Sequence, residues 1–305
     1  MGVTDLLLQG TLLGGYYALL ACGLSFLYGV LRVINLAHGS LAVVAAFAFW
    51  VCAEHWGFSP FAAALLLVPA MGVVGWVLYR TIFDRSLRGG TLVPILSTFG
   101  LAIVLDNVLF QNFGADTRSL APYVDSLSYD SWNLPGGLIA GQLAVLEFVL
   151  AVLVLGGLHL MLARTSIGRQ IRAAAEDPDA AQIVGVNTRL VHGFATAIAV
   201  MTVALAGLAL GLRATFDPYA GPSQLIFAFE AVVVGGAGSL WGTLIGGIAL
   251  GIAQCVGARL SPQGFLIAGH AVCLLVLFLR VSAGGSIVGV LAARLRPAGT
   301  GGGQT

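Results

Sequence analysis

Lysine is absent from this chain, whose fourteen basic residues are all arginine. The absence removes any phosphate-binding loop of the form GxxxxGK[ST], so nucleotide hydrolysis of that type has no place here. Charge of either sign is scarce. Only 9% of the residues are charged and 58% are hydrophobic, whereas a soluble domain carries about 25% charged residues. With a mean hydropathy of +0.97, too few charges remain to cover a water-facing surface. A net charge of +1 and the lack of any basic run exclude a nucleic-acid partner, whose affinity comes from neutralised phosphates. The four cysteines, Cys22, Cys52, Cys255 and Cys273, stand alone in apolar sequence without CxxC spacing. They read as small buried hydrophobes. HExxH and GxSxG are missing too, and His38, His159, His192 and His270 are each solitary. No catalytic residue and no metal site is therefore predicted.

What the chain does have is a series of apolar runs of about the 20 residues that cross a ~30 Å hydrocarbon layer as helix. Ten-residue alternation is absent, which leaves a helical bundle rather than a transmembrane barrel. Hydropathy places spans at 6–28, 33–53, 59–79, 91–113, 141–163, 191–212 and 264–280, with a long glycine-rich apolar stretch at 225–257. The fold class is thus an all-α, polytopic membrane protein of about eight membrane segments. Residues 1–281 form one membrane domain, and 282–305 form a cytoplasmic tail expected to be disordered towards its end. Asp5 and the lack of a basic n-region predict that the first span is not a cleaved signal.

Arginine content orients the connections, because cytoplasmic loops are enriched in basic residues. Residues 80–90 hold Arg80, Arg85 and Arg88, and 164–190 hold Arg164, Arg169, Arg172 and Arg189. Both should face the cytoplasm. The connection at 114–140 has Arg118 against Asp116, Asp125 and Asp130, which suits the outside. Parity then requires 225–257 to enter and leave from the outer side. Its centre, Gly235, Gly236, Gly238 and Gly242, is poor helix interior, at roughly 1 kcal/mol per glycine relative to alanine. A broken or re-entrant helix is expected there.

Glycine also recurs in small-xxx-small pairs, Gly10 with Gly14, Gly207 with Gly211, Gly242 with Gly246 and Gly247 with Gly251, which permit close helix approach. Asn35 and His38, three residues apart in the second span, should share a helical face beside Gly39. Such a pair either lines a path or bonds a neighbouring helix. Asp106 and Glu147 are expected near the outer interface within reach of water. Glu230 lies deeper, five residues before Gly235, and reads either as path lining or as the partner of an arginine such as Arg213. The translocation-path candidates are Asn35, His38, Gly39, Glu230, Gly235, Gly236 and Gly238.

In the loop at 164–190, Thr165 to Glu176 forms a helix with Arg169, Arg172 and Glu176 along one face. Asp177 then caps a second short helix with Pro178 at its first position and Gly185 at its end. Asp179, Ala180 and Ala181 give that second helix small side chains flanked by charge, a surface suited to docking in another protein's groove.

Three segments, GLSFLYGVLRVINLAHGSL (23–41), IGRQIRAAAEDPDAAQIVGVN (167–187) and VVGGAGSLWGTLIGGIALG (233–251), together resemble the branched-chain amino acid permeases of ATP-binding-cassette importers. The likeness is to the subunit type carrying NxAHG, here Asn35, Ala37, His38 and Gly39. It implies that Asp179, Ala180, Ala181 and Gly185 belong to the helix that couples to the ATPase, although the downstream Ile-x-Leu-Pro element is absent. It further implies a paralogous permease partner, two cytoplasmic ATPases carrying ATP and magnesium, an extracytoplasmic substrate-binding protein, and a place in the bacterial inner membrane. The chain itself would bind no cofactor. Urea, a short amide or another amino acid on the same scaffold is the alternative substrate, and a passive channel or intramembrane enzyme the different class.

In a cysteine-free background, single cysteines at 80–90 and after 281 should react only from the cytoplasmic side and those at 114–140 only from outside. Labelling of the tail by an impermeant maleimide in intact spheroplasts would refute the orientation.

Overall fold

The computed structural model describes residues 2–90, 92–134 and 137–284. Its long helices are α1 (Val3–Leu31), α2 (His38–Trp56), α3 (Pro60–Leu78), α5 (Leu92–Phe113), α6 (Gln142–Arg164), α9 (Thr188–Arg213), α11 (Leu240–Leu260) and α12 (Gly264–Gly284). Shorter helices are α4 (Asp84–Ser86), α7 (Ser166–Glu176), α8 (Pro178–Ile183) and α10 (Gly221–Gly235). A π-helical turn at Tyr79–Phe83 joins α3 to α4. Strands β1 (Ser131–Leu134) and β2 (Leu138–Gly141) pair antiparallel in the connection before α6. Among the described residues, eight helices are long and apolar enough to cross a bilayer, and α10 is not among them.

Burial sorts these helices into a centre and a rim. Helix α1 is apolar all round and almost wholly buried, with α9 next, whereas α3, α5, α6 and α12 turn most of their apolar surface outwards. A helix apolar on every side belongs in a core or in lipid. Small residues let α1 occupy the centre. A side chain on Gly14 would place its Cβ 2.3 Å from the Cα of Ile248, one on Gly247 2.6 Å from the Gly14 carbonyl, and one on Gly251 2.3 Å from the Gly10 carbonyl. These pairings run in opposite directions along the chain, so α1 and α11 are antiparallel. Gly207 meets α2 in the same way, 2.3 Å from the Ala42 carbonyl.

The expected break is present. The stretch at 225–257 resolves into α10, α11 and a turn in which Gly236 and Gly238 take φ of +96° and +85°. Helix α10 is about 22 Å long at 1.5 Å per residue, too short to cross. The turn sits against Gly29, near the C-terminal end of α1, with the Cβ of a residue at 238 only 3.3 Å from the Gly29 Cα. The end of α11 returns to the start of α1, where Arg259 donates to the Gly2 carbonyl at 3.2 Å. The segment leading into α10 pairs with the 114–141 connection through Arg118 and Phe216, whose amides and carbonyls bond at 2.8 and 2.9 Å. Gln9 donates to Ile139 of the same connection. Thus the segment that carries α10 and α11 enters and leaves at the face that holds the N-terminus and residues 114–141, with α10 itself starting below that face.

Three expectations need adjustment. The second span starts at His38 rather than 33, because Arg32 turns left-handed, with φ of 57°, and ends α1. The third helical run continues through the π turn to Gly89, and α12 extends to Gly284. Beyond 284 the expected tail lies outside the described residues.

Gly247→Ile should fail to accommodate α1 and lower the melting temperature of the detergent-solubilised protein, consistent with a cost of about 1–3 kcal/mol or more for overpacking. Gly100→Ile, at a position where an added Cβ meets nothing within 4 Å, should leave it unchanged. Equal melting of the two variants would contradict the packing described.

Candidate translocation path and coupling surface

At the end of α1 the chain runs without helix through 33–37 before α2 begins. Asn35 shapes that start: its Oδ1 accepts from the Ala37 amide at 3.1 Å and its carbonyl accepts from the His38 amide at 3.2 Å. The two residues therefore bracket a helix start and do not share a helical face. His38 donates through Nε2 to the Leu20 carbonyl at 2.7 Å, which fixes the protonated nitrogen, since a carbonyl only accepts. Leu20 is midway along α1, so α2 starts deep in the bundle. Beside it Gly39 abuts the start of α10, with the Gly221 carbonyl 1.9 Å from where a Cβ would stand. Asn35, His38 and Gly39 are all buried. The structure brings them together as a junction of α1, α2 and α10.

The glycine break forms a second cluster at the other end of α10. Gly235 packs on Gly242, and Arg280 of α12 donates to the Val234 carbonyl at 3.1 Å. A cation over the last carbonyls of a helix is a favourable cap. Glu230, one turn earlier, is buried and bonds Nδ1 of His270, while its second carboxyl oxygen has no partner among the described residues. Of the two readings of Glu230, path lining or a pair with an arginine such as Arg213, the pair with Arg213 is not formed. Arg213 instead donates to Glu147 at 2.8 Å, because it closes α9 at the outer face whereas Glu230 lies deeper. Asp106 and Glu147, expected within reach of water, are both buried. His270 is likewise not solitary.

On the opposite face, local sequence dictates the loop at 164–190, the candidate coupling surface. Thr165 caps α7 by accepting from the Gly168 amide at 2.9 Å. Asp177 Oδ1 accepts from the amides of Asp179 and Ala180, both at 3.0 Å, with Pro178 filling the first position. Gly185, at φ +88°, ends the turn. Gly168, Ile171 and Ala174 form the buried stripe of α7, which leaves Arg169 and Glu176 outside and Arg172 donating to the Leu162 carbonyl.

Ala181 differs from expectation. It is 3% exposed, turned into the chain's own bundle, whereas Ile183 and Val184 are 87% and 77% exposed. Those two apolar side chains in an arginine-rich loop are the residues that the sequence reading passed over. Asp179 and Ala180 share the exposed surface with them. Beside it a cleft of about 650 Å³ is lined by Arg32, Asp84, Glu176, Asp179, Gln182 and Arg189. Asp84 bridges Arg88 at 2.8 Å and Arg189 at 3.5 Å, tying the segment after α3 to the start of α9.

A polytopic bundle with a centrally buried first helix, a broken helix packed on it and two capped helices on its arginine-rich face defines a membrane transport component. Residues 6–281 match the family described as branched-chain amino acid transport system, permease component, and the chain belongs to that family. Among similar proteins, the high-affinity branched-chain amino acid permease protein BraD of Pseudomonas aeruginosa is 28% identical over 90% of this chain and 92% of its own. The corresponding LivH of Escherichia coli is 29% identical over 89% and 91%, and a probable LivH of Methanocaldococcus jannaschii 31% over 89% and 88%. A fructose import permease of Rhizobium meliloti is more remote, 29% identical over 80% of this chain and 69% of its own. No solved structure matches. The chain is a multi-pass protein of the inner membrane.

Removing Glu230 should be felt according to what replaces it. Glu230→Gln keeps an acceptor for His270, whereas Glu230→Ala removes the acceptor and leaves a void at a buried position. Transport by the alanine variant should fall further than by the glutamine variant at equal membrane abundance. Wild-type rates in both would reduce Glu230 to packing.

Proposed function

We propose that this chain is one of two membrane subunits of an ATP-driven importer for branched-chain amino acids, working with a paralogous permease, two cytoplasmic ATPases and an external binding protein. The exposed surface of α8 carries this reading: Asp179, Ala180, Ile183 and Val184 face outwards from a segment held by Ala181, the Asp177 cap and the left-handed Gly185. An apolar pair on a polar, arginine-rich face fits a groove in another protein. ATP and magnesium belong to the ATPase subunits, since this chain lacks the phosphate-binding lysine. It contributes a path and performs no chemistry.

The mechanism follows from what α7 and α8 are tied to. α7 packs on α6 and α9, and α9 packs along α1, α2 and α3. Closure of the ATPases on nucleotide moves α8, and the rigid helices carry that movement to the buried junction at Asn35, His38 and Gly39. The glycine break at 235–238 supplies the other pivot, since interrupted helices are a common device of alternating access. His270 already occupies one oxygen of Glu230, so Glu230 gives no ground for preferring urea or an amide to the branched-chain substrates of BraD and LivH.

Proteoliposomes containing the chain with its partner subunits and binding protein should take up L-leucine only with ATP. Joint substitution of Ile183→Asp and Val184→Asp should abolish uptake and substrate-stimulated hydrolysis while leaving the chain in the membrane. Unchanged uptake would exclude α8 as the coupling surface. ATP-driven uptake of urea or a sugar without leucine would exclude the substrate.

A further inference from the structure

At the outer face a pocket of about 290 Å³ opens between the Asp125–Ser128 turn, the start of α6 and the end of α9, close to the lower end of the ~300–1,000 Å³ typical of small-ligand sites. Its polar end is made by Glu147, Arg213 and Ser128, and its apolar wall by Leu143, Ala144 and Leu212.

The polar groups are incompletely used. Arg213 donates one N–H to Glu147 Oε2 at 2.8 Å and lies with its guanidinium carbon 5.5 Å from the centre of the Tyr16 ring. Among the described residues Glu147, whose side chain is 3% exposed, has no partner for its second oxygen, and the Ser128 hydroxyl has none either. A buried carboxylate oxygen and hydroxyl left unbonded at an open pocket are costly, and a native structure usually keeps them for a reason. A structural ion pair alone does not require the vacant Ser128 hydroxyl or the pocket beside it.

We infer that this pocket binds the zwitterionic head of a free α-amino acid, its ammonium on Glu147 and Ser128 and its carboxylate on the remaining guanidinium N–H groups. An aliphatic side chain would then lie on Leu143, Ala144 and Leu212. Because the Glu147–Arg213 pair is already neutral, a ligand bearing one charge would leave that charge uncompensated in a largely buried site, whereas a zwitterion leaves none. The position suits a first stop below a docked binding protein. The inference rests on the proposed amino-acid permease function and names the residues that would contact its substrate.

The test uses the chain assembled with its partner permease and ATPases in lipid nanodiscs, without the binding protein, and tritiated L-leucine as probe. Saturable binding is expected, with 4-methyl-2-oxopentanoate, which lacks the ammonium, and 3-methylbutylamine, which lacks the carboxylate, failing to compete. Glu147→Gln should weaken binding by about tenfold, as expected for losing a charge-assisted hydrogen bond. Ala144→Trp should abolish it by filling the pocket with the ion pair untouched. If either variant fails to assemble by size exclusion, Ser128→Ala, which removes only the unpartnered hydroxyl, must weaken binding instead. Binding that survives in assembled Ala144→Trp, competition by either single-charge analogue, or no binding by a complex that transports leucine would overturn the site. If the complex transports no leucine, the substrate reading fails separately. The site then stands only if another amino acid binds and is lost with Ala144→Trp, and falls if none does.

Discussion

The contact on which the architecture depends is the antiparallel approach of α1 to α11 through Gly10, Gly14, Gly247 and Gly251. Within a bilayer the surrounding lipid is as apolar as leucine, so helix association relies on close van der Waals packing. Glycine on both surfaces brings backbone against backbone: Ile248 lies where a Cβ on Gly14 would be, and the Gly10 carbonyl where one on Gly251 would be. Helix α11 so placed carries α10 with it, because Gly235 meets Gly242 and Gly246 meets the Ala231 carbonyl. The broken helix is therefore mounted on the most deeply buried element of the bundle.

That arrangement exposes backbone groups that an unbroken helix would satisfy. Irregular chain at membrane depth is tolerated only where protein or water covers it, and polar side chains supply the bonds here. Thr98 Oγ1 accepts from the Leu36 amide at 3.1 Å, Asn35 from the Ala37 amide, and Arg280 serves the Val234 carbonyl. His38 adds a bond to the middle of α1. The scarce polar residues thus concentrate at the two places where the helices stop. Those are also the places where a rigid bundle has freedom to bend.

Most of this was legible in the sequence, for reasons that differ by element. Long apolar runs announced the spans, and the arginine distribution with parity announced that 225–257 turns back, since an odd crossing would have put the tail after 281 on the wrong side. The loop at 164–190 was readable almost residue by residue because caps are local: Thr165, Asp177, Pro178 and Gly185 each act within a few positions of themselves. Tertiary partners were not readable. Nothing local distinguishes Arg213 bonded to Glu147 from Arg213 bonded to Glu230, or marks His270 as the residue facing Glu230. Asn35 and His38 were misplaced on one helical face because the left-handed Arg32 ends α1 without glycine or proline to signal it. Ala181 was taken for surface because its small side chain suits a docking face and a packed interface equally well.

The fold depends on the chain turning back within 214–260, with the glycine turn lying towards the cytoplasmic end of α1 while the chain enters before α10 and leaves after α11 at the outer face. Side-specific labelling of Ala237→Cys and Gln263→Cys, both at exposed positions, tests this most directly in a cysteine-free background in sealed vesicles of each orientation. Cysteine at 237 should react with an impermeant maleimide only when the cytoplasmic face is outermost, and cysteine at 263 only when it is not. Reaction of both from the same side would contradict the fold as described and the importer mechanism built on it.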